Sequence, residues 1–318
     1  MRSGYISLTI RCPHRCLCCP CRREPGAQGT DLSVEDVLKT VDEGIGNGVS
    51  EMVLSGGEPT LHGSFLQIAG ELAHRGLRIG LLTTAERFAV PGFLEDVLAV
   101  VPADRLRVLT ALHSFNSAKH DRMTRSDGSL LRSLGGLRRL AAAGVSLTVK
   151  HLVTALTVRD LPVFTEAFLA EFPPAVRLLI CNIDFCGEAY RNRELLAVPF
   201  SESRPYLETA LDRMMAAARE AGTWNAEARV RVRDTPLCAV SPQYWPFFRS
   251  QATLKLAVYN APSSRAPKRE VANSSGPFFK ECEGCSVREH CPGAWLSAES
   301  VLRPNFLPGP LKDGGETV

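Results

Sequence analysis

Hydrophobic and polar positions follow two alternating periods along most of this chain. Short apolar runs with the two-residue period of strands are separated by segments whose apolar positions recur every three or four residues, as in helices. The pattern predicts strands at residues 5–10, 51–55, 77–83, 106–112, 145–153 and 176–183. Each strand is followed by a predicted helix, at residues 34–46, 65–75, 91–101, 129–143, 161–171 and 204–221.

Six consecutive strand–helix units require a parallel sheet with right-handed crossovers. The fold class is therefore predicted as α/β, with a partial (β/α)6 TIM-type barrel at residues 1–226. In such barrels the chemistry lies at the C-terminal ends of the strands, so the loops that leave those ends are where a site is expected.

From about residue 227 the pattern changes to short strands, turns and scattered cysteines. A stretch rich in Ser, Ala, Pro and Lys at 261–277 is typical of a loop. We therefore expect a small cysteine-rich second domain at 227–302. The Pro- and Gly-rich tail at 303–318 is expected to be disordered.

Composition narrows the functional classes. The 318 residues are 45% hydrophobic, enough for a full core, and the net charge of +3 comes from 37 basic and 34 acidic residues without a basic block. Neither nucleic acid nor an anionic membrane is implied as a partner. No apolar run approaches the roughly 20 residues of a membrane span, and the N-terminus does not resemble a signal peptide, so a cytoplasmic protein is expected. Its 11 cysteines then indicate metal ligands or reactive thiols rather than disulfides.

Five of these cysteines lie in residues 12–21, directly after the first predicted strand. Cys12, Cys16 and Cys19 have the spacing C-x3-C-x2-C, which lets three thiolates bind three corners of a 4Fe-4S cubane and leaves the fourth iron open for chemistry. The next strand ends in Gly-Gly-Glu-Pro at residues 56–59, a tight turn with exposed backbone and a carboxylate, suited to gripping a ligand's ammonium group.

These two motifs, in this order, resemble those of the radical S-adenosylmethionine (SAM) enzymes. The resemblance implies that SAM chelates the open iron and that Gly56, Gly57, Glu58 and Pro59 help to bind it. One electron from the cluster would cleave SAM and release a 5′-deoxyadenosyl radical, which abstracts hydrogen from an unactivated C–H bond. A reducing electron-donor protein, such as flavodoxin or ferredoxin, is then an expected partner.

The resemblance extends to further positions. Ser114, after the fourth strand, would lie near the SAM ribose or carboxylate, and the backbone of Gly187, after the sixth, near the adenine; in both places a plain surface turn is the alternative. Lys150 on the fifth strand is a weaker candidate. The residue before the third cysteine is usually aromatic in this family but is Cys18 here, and Cys18 and Cys21 are interpreted as bystanders.

A second cysteine set lies near the C-terminus. Cys282, Cys285 and Cys291, with Cys238 upstream, resemble the auxiliary-cluster extension called twitch or SPASM. Four cysteines suffice for one cluster, which favours the single-cluster twitch form and a second 4Fe-4S cluster that relays an electron. A structural zinc site is the alternative.

The favoured function is dehydrogenation or epimerisation of a small molecule by SAM radical chemistry. Cys186, at the end of the sixth strand, is a candidate hydrogen-atom donor for an epimerase. Because the barrel begins at residue 5, without an N-terminal peptide-recognition domain, a small-molecule substrate is favoured over the alternative, a ribosomally made peptide that is cross-linked, oxidised or epimerised. An alternative of another class is a non-catalytic iron-sulfur carrier or a zinc-stabilised binding module, which would have no need of the Gly56–Pro59 turn.

Overall fold

A computed structural model describes residues 2–20, 31–222, 226–248, 255–259, 269–272 and 282–294. Within these ranges the strands form one sheet in the order β7-β6-β5-β4-β3-β2-β1-β8-β9. Strands β1 to β7 pair in parallel with their neighbours in sequence, β8 is parallel to β1, and β9 is antiparallel to β8. The strands are β1 Arg2–Thr9, β2 Val49–Gly56, β3 Arg78–Leu82, β4 Leu106–Ala111, β5 Ser146–Val153, β6 Arg177–Asn182, β7 Val230–Arg233, β8 Lys255–Tyr259 and β9 Arg269–Ala272.

Helices connect the strands and cover the outer face of the sheet. They are α1 Val34–Gly46, α2 Phe65–His74, α3 Phe93–Val100, α4 Ser117–Thr124, α5 Ser129–Ala142, α6 Leu161–Glu171, α7 Gly187–Arg191, α8 Arg193–Leu196, α9 Phe200–Glu220 and α10 Ala226–Arg229. All six predicted strands and all six predicted helices are present, with bounds that differ by a few residues. The partial barrel fold is therefore confirmed. No helix in the described part of the chain is long and apolar enough to span a membrane.

Alternation along the strands separates the hydrophobic core from the barrel interior. Residues such as Leu8, Met52 and Ile180 point outward and are fully buried in one cluster with the helices. Their neighbours in sequence point inward, and many of these are polar, including Ser7 and Lys150. The interior is thus suited to a polar ligand, which is why the strand ends are the place to look for chemistry.

The sheet contains a seventh parallel strand that the sequence pattern placed in the second domain. Val230 of β7 pairs with Leu178 of β6, so residues 230–233 extend the barrel sheet and the predicted count of six strands is one short. Likewise, β9 lies inside the stretch predicted as a loop at 261–277. The remainder of that stretch and the tail at 303–318 lie outside the described residues, as does Cys21.

A half-buried ion pair lies near the N-terminal end of the barrel. The carboxylate of Glu51 is 4% exposed and accepts hydrogen bonds from the Ser3 hydroxyl, at 2.8 Å, and from Arg107 Nη1, at 2.9 Å. It therefore joins β1, β2 and β4. Because the Arg107 side chain is 41% exposed, solvent screens its attraction to Glu51, and we attribute to the pair the relative placement of these strands more than net stability.

Candidate active site at the C-terminal ends of the strands

The cysteine loop at residues 10–20 is held by backbone hydrogen bonds to the end of α4. Arg15 N donates to the Thr124 carbonyl and Leu17 N to the Met123 carbonyl, both at 2.9 Å. The sequence did not predict α4, because it is polar and buries only His120, Met123 and Thr124. Its last turn nevertheless fixes the loop that carries Cys12, Cys16 and Cys19.

The start of α7 holds the other side of the loop. The Cys19 carbonyl accepts hydrogen bonds from the backbone N–H groups of Glu188, at 3.0 Å, and Ala189, at 3.2 Å. These are the free donors of a helix N-terminus. Gly187 begins this helix with a φ of 55°. In this structure the Gly187 turn therefore lies beside the third predicted cluster ligand.

The three predicted cluster ligands are half-buried and close together. Burial, and then the neighbouring thiols of Cys18, Cys12 and Cys19, raises the pKa of the Cys16 thiol well above its usual range. Thiolates gathered in this way repel one another unless cations bind them, and iron is such a cation. No three His, Cys, Asp or Glu side chains in the described ranges are gathered around the position of a single metal ion. A cubane distributes its ligands over separate irons, so these thiols fit a cluster.

The Gly-Gly turn packs directly against the cysteine loop. Gly57 N donates to the Thr9 carbonyl at 2.6 Å and Glu58 N to the Arg11 carbonyl at 2.7 Å. Gly56 has a φ of 120°, and a Cβ at Gly56 or Gly57 would lie 2.2 Å from the Thr9 or Arg11 carbonyl oxygen. Both glycines are therefore required for the close approach of the two loops, whatever ligand they bind.

The Glu58 side chain is 1% exposed, and its carboxylate accepts hydrogen bonds from groups of the protein itself. Its Oε1 accepts hydrogen bonds from Thr60 N at 3.1 Å, Thr60 Oγ1 at 2.6 Å and Thr83 Oγ1 at 2.7 Å, and its Oε2 accepts one from Thr84 N at 2.6 Å. It joins the loop after β2 to the loop after β3. These bonds give Glu58 a positioning role between the two loops, and its predicted role as a ligand for an ammonium group stays a prediction. Pro59 follows it, buried at the start of a short 3-10 helix.

A second carboxylate supports the cysteine loop from the β3 side. His14 Nε2 lies 2.7 Å from Glu86 Oε1, and Arg132 Nε lies 3.1 Å from Glu86 Oε2. Burial raises the pKa of Glu86, but the hydrogen bonds with His14 and Arg132 outweigh burial and lower the pKa overall. Glu86 therefore stays ionised and ties the loop to α5. No pattern in the sequence indicates this contact.

Comparisons with known proteins match this geometry. A model of the radical SAM superfamily matches residues 6–160. The PqqA peptide cyclase of Methylorubrum populi is 27% identical to this chain, over 65% of this chain and 53% of the cyclase. That of Granulibacter bethesdensis is 26% identical, over 64% of this chain and 52% of the cyclase. The chain therefore spans about half the length of these curated relatives. The structure of Streptococcus suis SuiB bound to precursor peptide SuiA has the same fold, with a TM-score of 0.65 and 11% identity over 96% of this chain and 74% of SuiB.

Residues 6–160 of the chain match the radical SAM superfamily. Enzymes of this superfamily use a 4Fe-4S cluster and SAM, so the sequence-based prediction of these cofactors is confirmed. The superfamily match covers β1 from residue 6, the cysteine loop, the Gly56–Pro59 turn and strands β2 to β5. The alternatives of a non-catalytic carrier and a zinc-stabilised module are therefore set aside.

The radical SAM site includes a histidine that the sequence did not single out. His113, directly after β4, is 3% exposed, and its Nε2 lies 3.9 Å from Cys18 Sγ. Strand alternation is the signal that would have found it, because residues 107, 109 and 111 also face inward. The hydroxyl of the adjacent Ser114 accepts a hydrogen bond from Asn116 N at 3.0 Å and stabilises the local turn, and its predicted place near the SAM ribose or carboxylate stays a prediction.

Lys150 and Cys181 lie on the inner wall of the radical SAM barrel. The two side chains are close enough for Lys150 to lower the Cys181 thiol pKa, although burial raises it overall to about 11. Lys150 also acts on the Cys18 thiol, whose pKa burial raises to about 12. The structure therefore brings Lys150 beside the cysteine loop, where its predicted role as a SAM ligand remains a prediction.

Cys186 lies where the chain leaves β6, at the N-cap of α7. Its thiol is half-buried and 3.5 Å from Asp184 Oδ2. Burial, and then the Asp184 carboxylate, raises the pKa of this thiol to about 11. The thiol is therefore protonated at neutral pH, as a hydrogen-atom donor must be.

The four C-terminal cysteines are brought together at the end of β7. Burial, followed by the thiols of Cys291, Cys282 and Cys285, raises the pKa of Cys238 to about 12. Cys291 Sγ also accepts the backbone N–H groups of Leu237 and Gly293, each at 3.4 Å. Amide donors aimed at a sulfur stabilise its ionised, metal-bound form. The set predicted from spacing is thus one group in space.

Proposed function

We propose that this protein is a radical SAM maturase that cross-links, oxidises or epimerises a ribosomally made peptide. The observation that carries the proposal is the similarity to enzymes named PqqA peptide cyclase over 65% of this chain. The sequence alone favoured a small-molecule substrate because the barrel begins at residue 5. The relatives favour the peptide alternative, and we adopt it.

The cluster and SAM, when bound, supply a 5′-deoxyadenosyl radical that takes a hydrogen atom from the substrate. Cys12, Cys16 and Cys19 would hold three irons of the cluster. Because the Glu58 carboxylate is already occupied by four donors, recognition of the SAM ammonium group falls to the backbone carbonyls of Gly56 and Gly57. His113 and Lys150 line the same side of the interior and would contact SAM or the peptide.

We also propose a second 4Fe-4S cluster on Cys238, Cys282, Cys285 and Cys291. In support, Cys16 and Cys282 both pack against one apolar cluster, which includes Leu17, Phe185 and Ala294. The two cysteine sets therefore border a shared, water-poor region suited to electron transfer. Reconstituted protein should contain about eight irons per chain, two cubanes. About four irons plus one zinc would contradict the second cluster.

The decisive experiment is a reaction with a candidate precursor peptide, chosen from a short open reading frame beside the gene. Reconstituted protein, SAM and dithionite should form 5′-deoxyadenosine, and the peptide should raise its rate and lose two hydrogen atoms or change the chirality of one residue. The Cys12→Ala variant is the inactive control. No 5′-deoxyadenosine from protein with filled clusters and peptide would contradict the proposal. Turnover of a small alcohol or sugar, but not of peptides, would restore the small-molecule interpretation.

Peptide epimerisation has one specific observation in its favour, the half-buried thiol of Cys186 where the chain leaves β6. Its S–H would give a hydrogen atom to the substrate carbon radical. The thiyl radical left behind would return to the thiol by taking one electron from the proposed cluster on Cys238, Cys282, Cys285 and Cys291 and one proton from solvent. In deuterated water, Cys186→Ala should lose deuterium incorporation and stereochemical inversion while it still forms 5′-deoxyadenosine. The Cys181→Ala variant is the matched control, because Cys181 is a buried thiol of similar pKa. Unchanged inversion in Cys186→Ala would exclude the role.

A further inference from the structure

We infer that Asp121 is a positioning residue for the SAM-binding cluster, because it locks the end of α4, and with it the cysteine loop, onto the first turn of α5. The inference rests on the assignment of the cluster to Cys12, Cys16 and Cys19 in the proposed function, and not on the identity of the substrate. It explains how a polar helix without an apolar stripe holds the loop that carries the cluster ligands.

Two backbone hydrogen bonds from the cysteine loop to α4 flank Cys16. On one side of this predicted ligand, Arg15 N donates to the Thr124 carbonyl, and on the other, Leu17 N donates to the Met123 carbonyl, both at 2.9 Å. These carbonyls belong to the last turn of α4, where the acceptors have no partner within the helix. The place of Cys16 therefore depends on the place of this turn.

Helix α4 contributes little burial of its own to fix that turn. It is eight residues long, and only His120, Met123 and Thr124 are buried. Helices of this length are marginal in water, and most helices in proteins are stabilised by an apolar face that packs against neighbouring elements. A further contact is therefore needed to hold α4 in place.

Asp121, three residues before Thr124, makes that contact. Its Oδ2 accepts a hydrogen bond from Gly128 N at 2.6 Å, and its Oδ1 accepts bonds from Ser129 Oγ at 2.8 Å and Leu130 N at 3.0 Å. Burial raises the pKa of the Asp121 carboxyl, but these three bonds lower the pKa overall, so the group is ionised at neutral pH. Hydrogen bonds to an ionised acceptor are stronger than bonds between neutral groups.

The three donors lie at the start of α5, which has no side-chain cap of its own. The residue at the N-cap is Gly128, and it has no side chain to accept the free N–H groups of the first turn. Asp121 supplies that acceptor from α4. Helix α5 is itself firmly placed, because Leu134, Leu137 and Leu140 are buried in the core. The bonds of Asp121 therefore tie α4 to a fixed element.

The other side of the cysteine loop leads back to the same turn of α5. His14, two residues before Cys16, binds Glu86, and Glu86 binds Arg132 of α5. Residues 14–17 are thus held from two directions by contacts that end at residues 128–132. In the described part of the chain Asp121 forms no hydrogen bond or ion pair with residues 10–20, so its influence on the loop passes through α4.

The test measures hydrogen–deuterium exchange at the amides of Arg15 and Leu17 in the reconstituted protein. Asp121→Asn replaces one of the two acceptor oxygens by an NH2 group, so both amides should exchange at least about 10-fold faster, as the loss of one hydrogen bond to a charged acceptor implies. Ser129→Ala removes one of the three donors and should give a smaller increase. Asp127→Asn, which changes an exposed carboxylate just before α5, is the matched control and should leave the exchange rates unchanged.

A spectroscopic readout separates this role from a purely structural one. The electron paramagnetic resonance (EPR) signal that changes on addition of SAM reports the SAM-binding cluster alone. In the presence of an iron chelator this signal should decay at least about 10-fold faster in Asp121→Asn than in the wild type or in Asp127→Asn.

Each other outcome overturns the inference. Unchanged exchange at Arg15 and Leu17 in Asp121→Asn would mean that α4 is held in another way. An equal increase across the core strands would make Asp121 a residue of global stability, and faster exchange without faster loss of the EPR signal would remove its role toward the cluster. If Asp121→Asn does not fold, unchanged exchange in Ser129→Ala decides against the inference. A wild type without a SAM-dependent EPR signal contradicts the proposed function instead, so the two failures are distinguishable.

Discussion

Replacing Glu58 by Gln tests whether this residue positions the SAM-binding turn or binds SAM itself. The buried carboxylate accepts four hydrogen bonds, three at Oε1 and one at Oε2. If the Gln oxygen takes the place of Oε1, its NH2 group faces the N–H of Thr84, a donor against a donor. The variant is therefore expected to fold less stably and to bind SAM almost normally.

The magnitude follows from these contacts. Loss of the charge-assisted bond to Thr84 costs about 1.5–3 kcal/mol, and the three remaining bonds weaken by about 0.5 kcal/mol each when their acceptor becomes neutral. The sum is about 3–4.5 kcal/mol, a large share of the 5–15 kcal/mol that typically stabilises a protein. With a urea m value of about 3 kcal/mol/M, the unfolding midpoint should fall by about 1 M or more.

The assay is urea unfolding monitored by circular dichroism. SAM binding is measured separately, without urea, at a temperature at which both proteins are folded. Glu202→Gln, on the exposed first turn of α9, is the control and should shift the midpoint little. Thr83→Val removes one of the four donors and should give a smaller loss than Glu58→Gln. The reasoning is refuted if Glu58→Gln keeps the wild-type midpoint and loses SAM affinity more than about 10-fold, a free-energy loss of about 1.4 kcal/mol.

Three further predictions concern the cysteine loop, the packing of α5 against the loop after β3, and the buried side chain of His151. Cys19→Ala should abolish both the visible absorbance of the SAM-binding cluster and SAM cleavage. Cys18→Ala should keep both, because Cys18 is 8% exposed and packs among apolar residues. The reverse outcome would overturn the ligand assignment. Gly136→Ala should lower the free energy of unfolding by about 2 kcal/mol or more, and the thermal midpoint with it, because the new Cβ would lie 1.9 Å from the Ala85 carbonyl oxygen. Gly135→Ala, whose Cβ would have its nearest contact at 3.2 Å, should cost little. Equal losses in the two variants would contradict this packing. Burial lowers the His151 pKa from 6.5 to about 4, so the unfolded chain binds a proton that the folded chain does not, and stability falls as pH drops through this window. Urea unfolding between pH 7 and 5.5 measures the free energy of unfolding as a function of pH. Below pH 6.5, His151→Leu should make its slope less steep than that of the wild type by about 1.4 kcal/mol per pH unit, and an unchanged slope would contradict the assigned shift.

The barrel was predictable because its strands and helices bury one face in regular periods. Residues such as Leu54 and Leu81 recur on the outward face of successive strands and leave a clear trace in the sequence. Helix α4 leaves none, since it contributes backbone carbonyls at Met123 and Thr124 rather than an apolar stripe. Backbone hydrogen bonds of this kind do not depend on side-chain type, so the pattern of hydrophobic and polar residues does not predict them.

The motifs located the site but did not define what each residue does there. Gly56, Gly57 and Glu58 were recognised as a ligand-gripping turn, yet two of them are explained by contacts with Thr9 and Arg11. The partners of Glu58 include Thr83 and Thr84, which become neighbours only when β2 and β3 pair. A motif therefore reports the chemistry of a segment, whereas the role of each side chain depends on the strand that folds next to it.

Strand β7 changes how the second cysteine set relates to the first. Because β7 is parallel to β6, its C-terminal end lies at the same edge of the sheet as the cysteine loop after β1. Cys238 lies five residues after Arg233, the last residue of β7, in the short 3-10 helix Leu237–Ala239. The backbone N–H of Leu237 donates to Cys291 Sγ. The C-terminal cysteines are thus built onto the barrel, and a truncation at residue 227 would remove a strand of the sheet together with the proposed ligands. The fixed separation of the two sets that follows from this attachment is the property an electron relay requires.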